Sequence, residues 1–110
     1  MGVVIKRVTV VHARQGIDRS EALRYWKEVH ASVVAKVPGL RRYVQNHCIE
    51  RILGTDEAPF LGIGEVWFDS EQHAERAVAT PEWQAVLDDA ATFMDMSRVV
   101  AGWTEEYEIV

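Results

Sequence analysis

At 110 residues, 48% apolar and 26% charged, the chain has the balance of one folded domain spanning residues 1–110, with no room for a second and no disordered bias. Its formal net charge of −5 argues against a nucleic-acid or anionic-membrane partner. No run approaches the ~18 apolar residues of a membrane span, and the first residues lack the apolar centre of a signal peptide. The single cysteine, Cys48, excludes an internal disulfide and fits a reducing, cytoplasmic location.

Val3 to His12 is β-branched nearly throughout and predicts the first strand. A loop over Ala13 to Ile17 follows. Asp18 opens a helix as N-cap, with Glu21 three residues on in a capping-box pattern. Ala22, Leu23, Trp26, Val29, His30, Val33, Val34 and Val37 then recur at three- and four-residue spacing as one apolar stripe, ended by Pro38. Leu40 to Ile52 predicts a second strand, with Tyr43, Gln45 and His47 on one face and Cys48 on the other. Gly54 to Pro59 is a turn. Phe60 to Asp69 is a third strand, in which Gly62 and Gly64 suggest a bulge or a close backbone approach. Ser70 caps a short helix through Val78. Thr80 and Pro81 start another, with Trp83, Val86, Leu87 and Ala90 as its buried stripe. Val99 to Val110 alternates as a last strand.

The order β-α-β-β-α-β is that of an α+β, ferredoxin-like fold: a four-stranded antiparallel sheet with both helices on one face. The other face must be wet or paired. Tyr43, His47, Trp67 and Trp103 are too aromatic to sit comfortably on a bare sheet. The expectation is a homodimer that closes two sheets into an α+β barrel, burying on the order of 1,600 Å².

Two stretches carry a resemblance. R-Y-W-K-E-V-H-A (Arg24 to Ala31), followed by V-P-G-L-R-R-Y-V-Q-N-H (Val37 to His47), resembles the EthD family of dimeric α+β-barrel proteins, and Phe93-Met94-Asp95 is similar to the family pattern before the last strand. The resemblance implies a ferredoxin-like protomer, a dimeric barrel and a small-molecule cavity in each half. It implies function only loosely, since relatives include lactone isomerases, polyketide cyclases, dehydratases and proteins accompanying degradative oxidations.

His30, one turn after Trp26 on the apolar stripe, is a candidate acid or base, with a core histidine as the alternative. His47 is a second catalytic candidate. Tyr43 and Gln45 beside it would bind an oxygen atom, or line the barrel with polar groups satisfied by water. Asp95 could orient a histidine, or cap a turn. Trp26, Trp67 and Trp103, with Phe93, would give flat apolar walls for a ligand, while Trp83 suits the core equally. His12 and His73 read as surface residues. A Cys48–His47 nucleophilic pair is disfavoured, and dispersed histidines with no His-x-x-x-His or Cys-x-x-Cys spacing predict no metal. No cofactor is expected.

Two functions share these residues. One is a cofactor-independent acid–base enzyme, of isomerase, cyclase, dehydratase or decarboxylase type, acting on a small hydrophobic carbonyl, lactone or aromatic polyketide-like compound. The other is a non-catalytic small-molecule binding or accessory protein of a degradative or biosynthetic pathway. A cofactorless or haem-linked oxygenase on the same barrel is a third.

Overall fold

The computed structural model describes residues 3–49 and 58–110. In chain order these form β1 (Ile5–Val11), α1 (Arg19–Tyr25), a π-helical turn (Trp26–His30), α2 (Ala31–Val34), β2 (Arg42–His47), β3 (Gly62–Phe68), α3 (Glu71–Val78), α4 (Pro81–Phe93), a 3-10 turn (Met96–Arg98) and β4 (Val100–Thr104). The sheet order is β2-β3-β1-β4, with every neighbouring pair antiparallel. This is the ferredoxin-like arrangement the element order predicts.

Strand limits differ from expectation. β4 stops at Thr104, where its ladder with β1 ends at Lys6, and the expected strand residues Glu105 to Val110 are exposed and lie outside the sheet. Glu50 to Ile52 and most of the expected turn Gly54 to Pro59 lie outside the described residues. Caps form where the sequence has Ser70 and Thr80: each hydroxyl accepts the backbone N–H three residues on, from His73 and Trp83. Asp18 stands at the N-cap of α1 but makes no side-chain cap bond. Its carboxylate instead takes the Ser20 hydroxyl, so the expected capping box does not form.

The ladder registers decide which residues share a face. Tyr43 pairs with Val66, Gln45 with Gly64 and His47 with Gly62; Arg7 pairs with Val66 and with Trp103. All of these belong to the helix-covered side, where Val66 and Phe68 pack on Val34, Ala77, Trp83 and Val86, and Val11 packs with Trp26, Leu61, Ala90 and Phe93. Trp67 pairs with Arg42 and Lys6 and so lies on the opposite, uncovered side. This corrects the expectation that Tyr43, His47, Trp67 and Trp103 share one open face: alternation along a strand sends neighbours to opposite sides, and the registers part Trp67 from the other three. The uncovered face carries Lys6, Arg42 and Glu65 around Trp67, with Val8, Val10, Val44, Ile63 and Val100 further along it. Lys6 and Arg42 lie over the Trp67 ring, 5.1 and 4.6 Å from its centroid.

The glycines of β3 show no bulge, since the ladder is continuous through both. Gly62 permits a close approach instead. A Cβ there would stand 2.1 Å from the Asn46 carbonyl oxygen and 2.6 Å from the Trp26 ring, so only glycine lets the indole lie against the sheet.

Candidate functional site

Helices and sheet leave a cavity of about 90 Å³ between them. Arg7, Thr9 and Val11 of β1, Tyr43 of β2, and Gly64 and Val66 of β3 form its floor. Trp26, His30 and Val34 form one wall, and Trp83, Val86, Leu87 and Ala90 of α4 another. Met94, Met96 and Val99 close the end nearest β4. The cavity thus lies on the helix-covered side of one chain, not on the face expected to pair into a barrel. Gly64, Thr9 and Ala90 are small enough to leave this space where a full aliphatic layer would fill it.

The π turn sets the site's geometry. The Ala31 N–H reaches back five residues to the Trp26 carbonyl, so one extra residue is accommodated in that turn. Trp26, 1% exposed, and His30, 3% exposed, stand at its two ends, both held inside. His30 Nδ1 lies 2.8 Å from Asp89 Oδ2. A carboxylate only accepts, so Nδ1 carries the proton and donates, leaving Nε2 as the basic nitrogen. The Tyr25 hydroxyl donates to the other oxygen, Oδ1, at 2.5 Å. The Phe93 ring stands 5.0 Å from the His30 ring, edge to face, and 5.1 Å from that of Tyr25. The result is a Tyr25–Asp89–His30 relay whose last member lines the cavity, with no hydrogen bond to Nε2 from any described residue. Burial pushes the His30 imidazolium below the ordinary histidine range, against the Asp89 carboxylate that pulls it up. The neutral, proton-accepting form therefore prevails at neutral pH. The hydrogen bond to Asp89 holds the Tyr25 phenol above its usual range.

A second network adjoins the first. Gln45 Nε2 donates to the Trp26 carbonyl at 2.8 Å and to the Tyr43 hydroxyl oxygen at 2.6 Å. Gln45 Oε1 lies 2.8 Å from His47 Nε2, which donates to it. The His47 ring stacks on Trp26, with centroids 4.8 Å apart and planes 13° apart. Burial, then Lys27 and Arg19, push His47 below the ordinary range. Burial raises the Tyr43 phenol, against its hydrogen bond with Gln45. Tyr43 thus stays protonated; its oxygen already accepts from Gln45, which leaves its O–H as a donor.

The structure brings together His30, Trp26, Tyr43 and Gln45 of the expected residues, with Phe93 packed on His30. His47 lies outside the cavity lining, behind the Trp26 stack. Trp67 is on the other face of the sheet. Trp103 lies 6.0 Å from Phe68 and lines a surface groove with α3. Asp95 makes no hydrogen bond to a histidine among the described residues: its carboxylate accepts from the Ser97 N–H and hydroxyl, capping the 3-10 turn. Trp83 serves both core and cavity. His12 is partly buried, with no partner for its Nδ1 among the described residues, and His73 is exposed beside Ser70.

Three residues of the site had not been picked out from the sequence: Tyr25, Asp89 and Arg7. Asp89 did leave a signal. It sits three residues after Val86 and next to Ala90, against a buried stripe, where a carboxylate requires a partner.

The EthD domain matches residues 14–97. No curated protein matches the chain significantly. Among solved structures, an ethyl tert-butyl ether D (EthD) family protein from Bacillus halodurans superposes with a TM-score of 0.78 at 21% identity, covering 96% of this chain and 100% of its own. A dimeric ferredoxin-like protein of unknown function from Thermobifida fusca gives 0.72 at 14%, covering 96% and 93%. SnoaB, a cofactor-independent oxygenase from Streptomyces nogalater, gives 0.68 at 12%, covering 99% and 98%. At these identities the structural likeness is one of fold.

Proposed function

The chain belongs to the EthD family, and on that footing we propose that it is a cofactor-independent enzyme moving protons on a small carbonyl compound, with His30 as the base. The observation that carries this reading is the buried Tyr25–Asp89–His30 relay ending at a cavity. A neutral imidazole fixed in one tautomer is a competent general base. His30 Nε2 would take a proton from the carbon next to a carbonyl. The electron pair left behind moves onto the carbonyl oxygen, where the Tyr43 hydroxyl donates a hydrogen bond to the forming enolate. Returning the proton at a different atom completes an isomerisation; expelling a leaving group instead completes an elimination. Asp89 is a positioning residue that stabilises the imidazolium while it lasts, and Tyr25 holds Asp89. That a protein of the same fold, SnoaB, is a cofactor-independent oxygenase supports cofactor-free chemistry on this scaffold.

The size of the cavity bears on the substrate. At about 90 Å³ it is smaller than the ~150 Å³ cavity known to admit benzene. A compact carbonyl compound or lactone fits this reading as the structure stands. An aromatic one requires the Met94 to Val99 wall to move.

Assembly belongs to the same proposal. The uncovered sheet face would pair with that of a second copy, through Val8, Val10, Val44, Ile63 and Val100. The dimeric state of the ferredoxin-like protein from Thermobifida fusca supports this.

The direct test is carbon-acid exchange. The protein is incubated in D₂O with a panel of small ketones, 3-oxo acids and lactones, and deuterium uptake next to the carbonyl is followed by NMR. Catalysed exchange is expected with at least one member, falling by about 10²–10⁴-fold in His30→Gln. Exchange unchanged in that variant removes His30 as the base. Binding without any exchange leaves the alternative, a non-catalytic small-molecule binding protein.

A further inference from the structure

Arg7 lines the same cavity from the sheet floor, and its charge is not balanced there. Its Nη1 donates to Thr9 Oγ1 at 3.0 Å, and its guanidinium carbon lies 5.2 Å from the centroid of the Trp83 ring. Neither partner is an anion. No described carboxylate pairs with it, and none lines the cavity. The neighbouring cation on the strand shows the contrast: Lys6, on the other face, pairs with Glu65 at 2.8 Å and with Glu106 at 3.0 Å. The carboxylate belonging to the site, Asp89, is engaged by Tyr25 and His30. In a chain of net charge −5, an unpaired guanidinium in a pocket walled by Trp83, Val66 and Val86 stands out. Such a group carries a desolvation penalty with no matching attraction, and it keeps N–H donors in a planar fork that matches a carboxylate.

We propose that the ligand of this cavity is a small monocarboxylate, whose carboxylate binds Arg7 while its apolar body lies toward Trp26 and His30. This rests on the reading of the His30 cavity as the ligand site and names the substrate class for it. One cation neutralises one negative charge. A phosphate dianion would leave a second charge unpaired in an apolar pocket, which argues for the carboxylate. Thr9, whose oxygen accepts from Arg7, holds the guanidinium in place and has its own hydroxyl proton to donate.

The test compares crotonate with crotonamide, a neutral amide of the same size and shape, by NMR titration of the full chain with isotope-labelled arginine and histidine side chains. Crotonate is expected to bind about tenfold or more tightly than crotonamide, shifting the Arg7 Nε–H and the His30 ring signals. Arg7→Met should abolish the preference, and Arg7→Lys, which keeps the charge but not the fork, should retain part of it. Circular dichroism and thermal melts check that both variants are folded. Equal affinity for acid and amide in the unaltered protein, or a preference that survives in Arg7→Met, overturns the proposal. If both compounds bind equally and still shift His30, the cavity stands as the ligand site and only the anion assignment falls. If neither perturbs His30 at tens of millimolar, both fall.

Discussion

His30 carries a measurable consequence in its burial. Its proton affinity is lowered by the apolar surroundings more than Asp89 restores it. In the unfolded chain it titrates near about 6.5; folded, it titrates lower. Above about 6.5 both states are neutral and His30 adds no pH dependence. As pH falls below that value the unfolded chain takes up a proton that the folded chain resists. Stability therefore falls, by at most ~1.4 kcal/mol per pH unit, until the folded value is reached. His47, also lowered, adds a loss of the same sign. Melting temperatures between pH 7.5 and 5.5 should drop more steeply in the natural chain than in His30→Gln. Parallel profiles would mean that His30 titrates as it does in an unfolded peptide. Asp89→Asn is the sharper kinetic probe. An amide cannot hold the Nδ1–H tautomer in the same way, so exchange on any carbon acid should fall on the order of 10²-fold or more, with the fold retained. Of these side chains, His30 was legible because helical spacing placed it on a buried stripe. Asp89 left only its place beside the buried stripe of α4, and Tyr25 left nothing, because Asp89 meets His30 and Tyr25 across 59 and 64 residues of chain. Asp95 drew attention through its place before a strand, but an aspartate two residues ahead of a serine meets its hydrogen-bonding needs within its own turn.

The elements show how a small backbone irregularity fixes a site. Apolar residues spaced at three and four predict a helix from Asp18 onward, and the chain does run helically to Val34. Such spacing does not distinguish an α turn from a π turn, because Trp26 and His30 point inward in either. The wider turn also brings the Trp26 carbonyl within reach of Gln45, tying the helix to β2. Opposite it, Gly62 is the residue that lets the indole dock. Gly62→Ala places a methyl against the Asn46 carbonyl and the Trp26 ring and should destabilise by about 2 kcal/mol or more, read by urea unfolding and a shift in tryptophan emission. Gly64→Ala is the control. Its Cβ would meet only Trp26, at 3.6 Å, an ordinary contact. It should change stability by less than about 1 kcal/mol. If the two variants unfold alike, the close approach at Gly62 is not the reason for the glycine.

For the whole molecule, topology was the most legible property. Strand patterns, Pro38, Thr80-Pro81 and the glycines mark the element boundaries, and a β-α-β-β-α-β order has few ways to close. The face assignments were less so. Tyr43, Gln45 and His47 share a side by period two alone, but whether Trp67 joins them depends on inter-strand register, which no single strand encodes. Beyond the charged surround of Trp67 the uncovered face is aliphatic, through Val8, Val10, Val44, Ile63 and Val100, and the proposed dimer uses it. A glutamate at Ile63 would put an unpaired charge in that interface. Ile63→Glu should elute at half the mass of the unaltered protein in size-exclusion chromatography with light scattering, while its circular dichroism is unchanged. A monomeric unaltered chain at high micromolar concentration would remove the dimer.

The end of the cavity formed by Met94, Met96 and Val99 leads directly into β4, an edge strand whose five residues are all exposed. In the proposed face-to-face dimer Val100 of that strand is covered, and the wall it continues from is held with it. Where binding and association both order this stretch of backbone, each strengthens the other, and thermodynamic reciprocity makes the two factors equal. A ligand affinity measured on the dilute protein would be weaker than one measured on the concentrated protein, and a saturating ligand would draw protomers together.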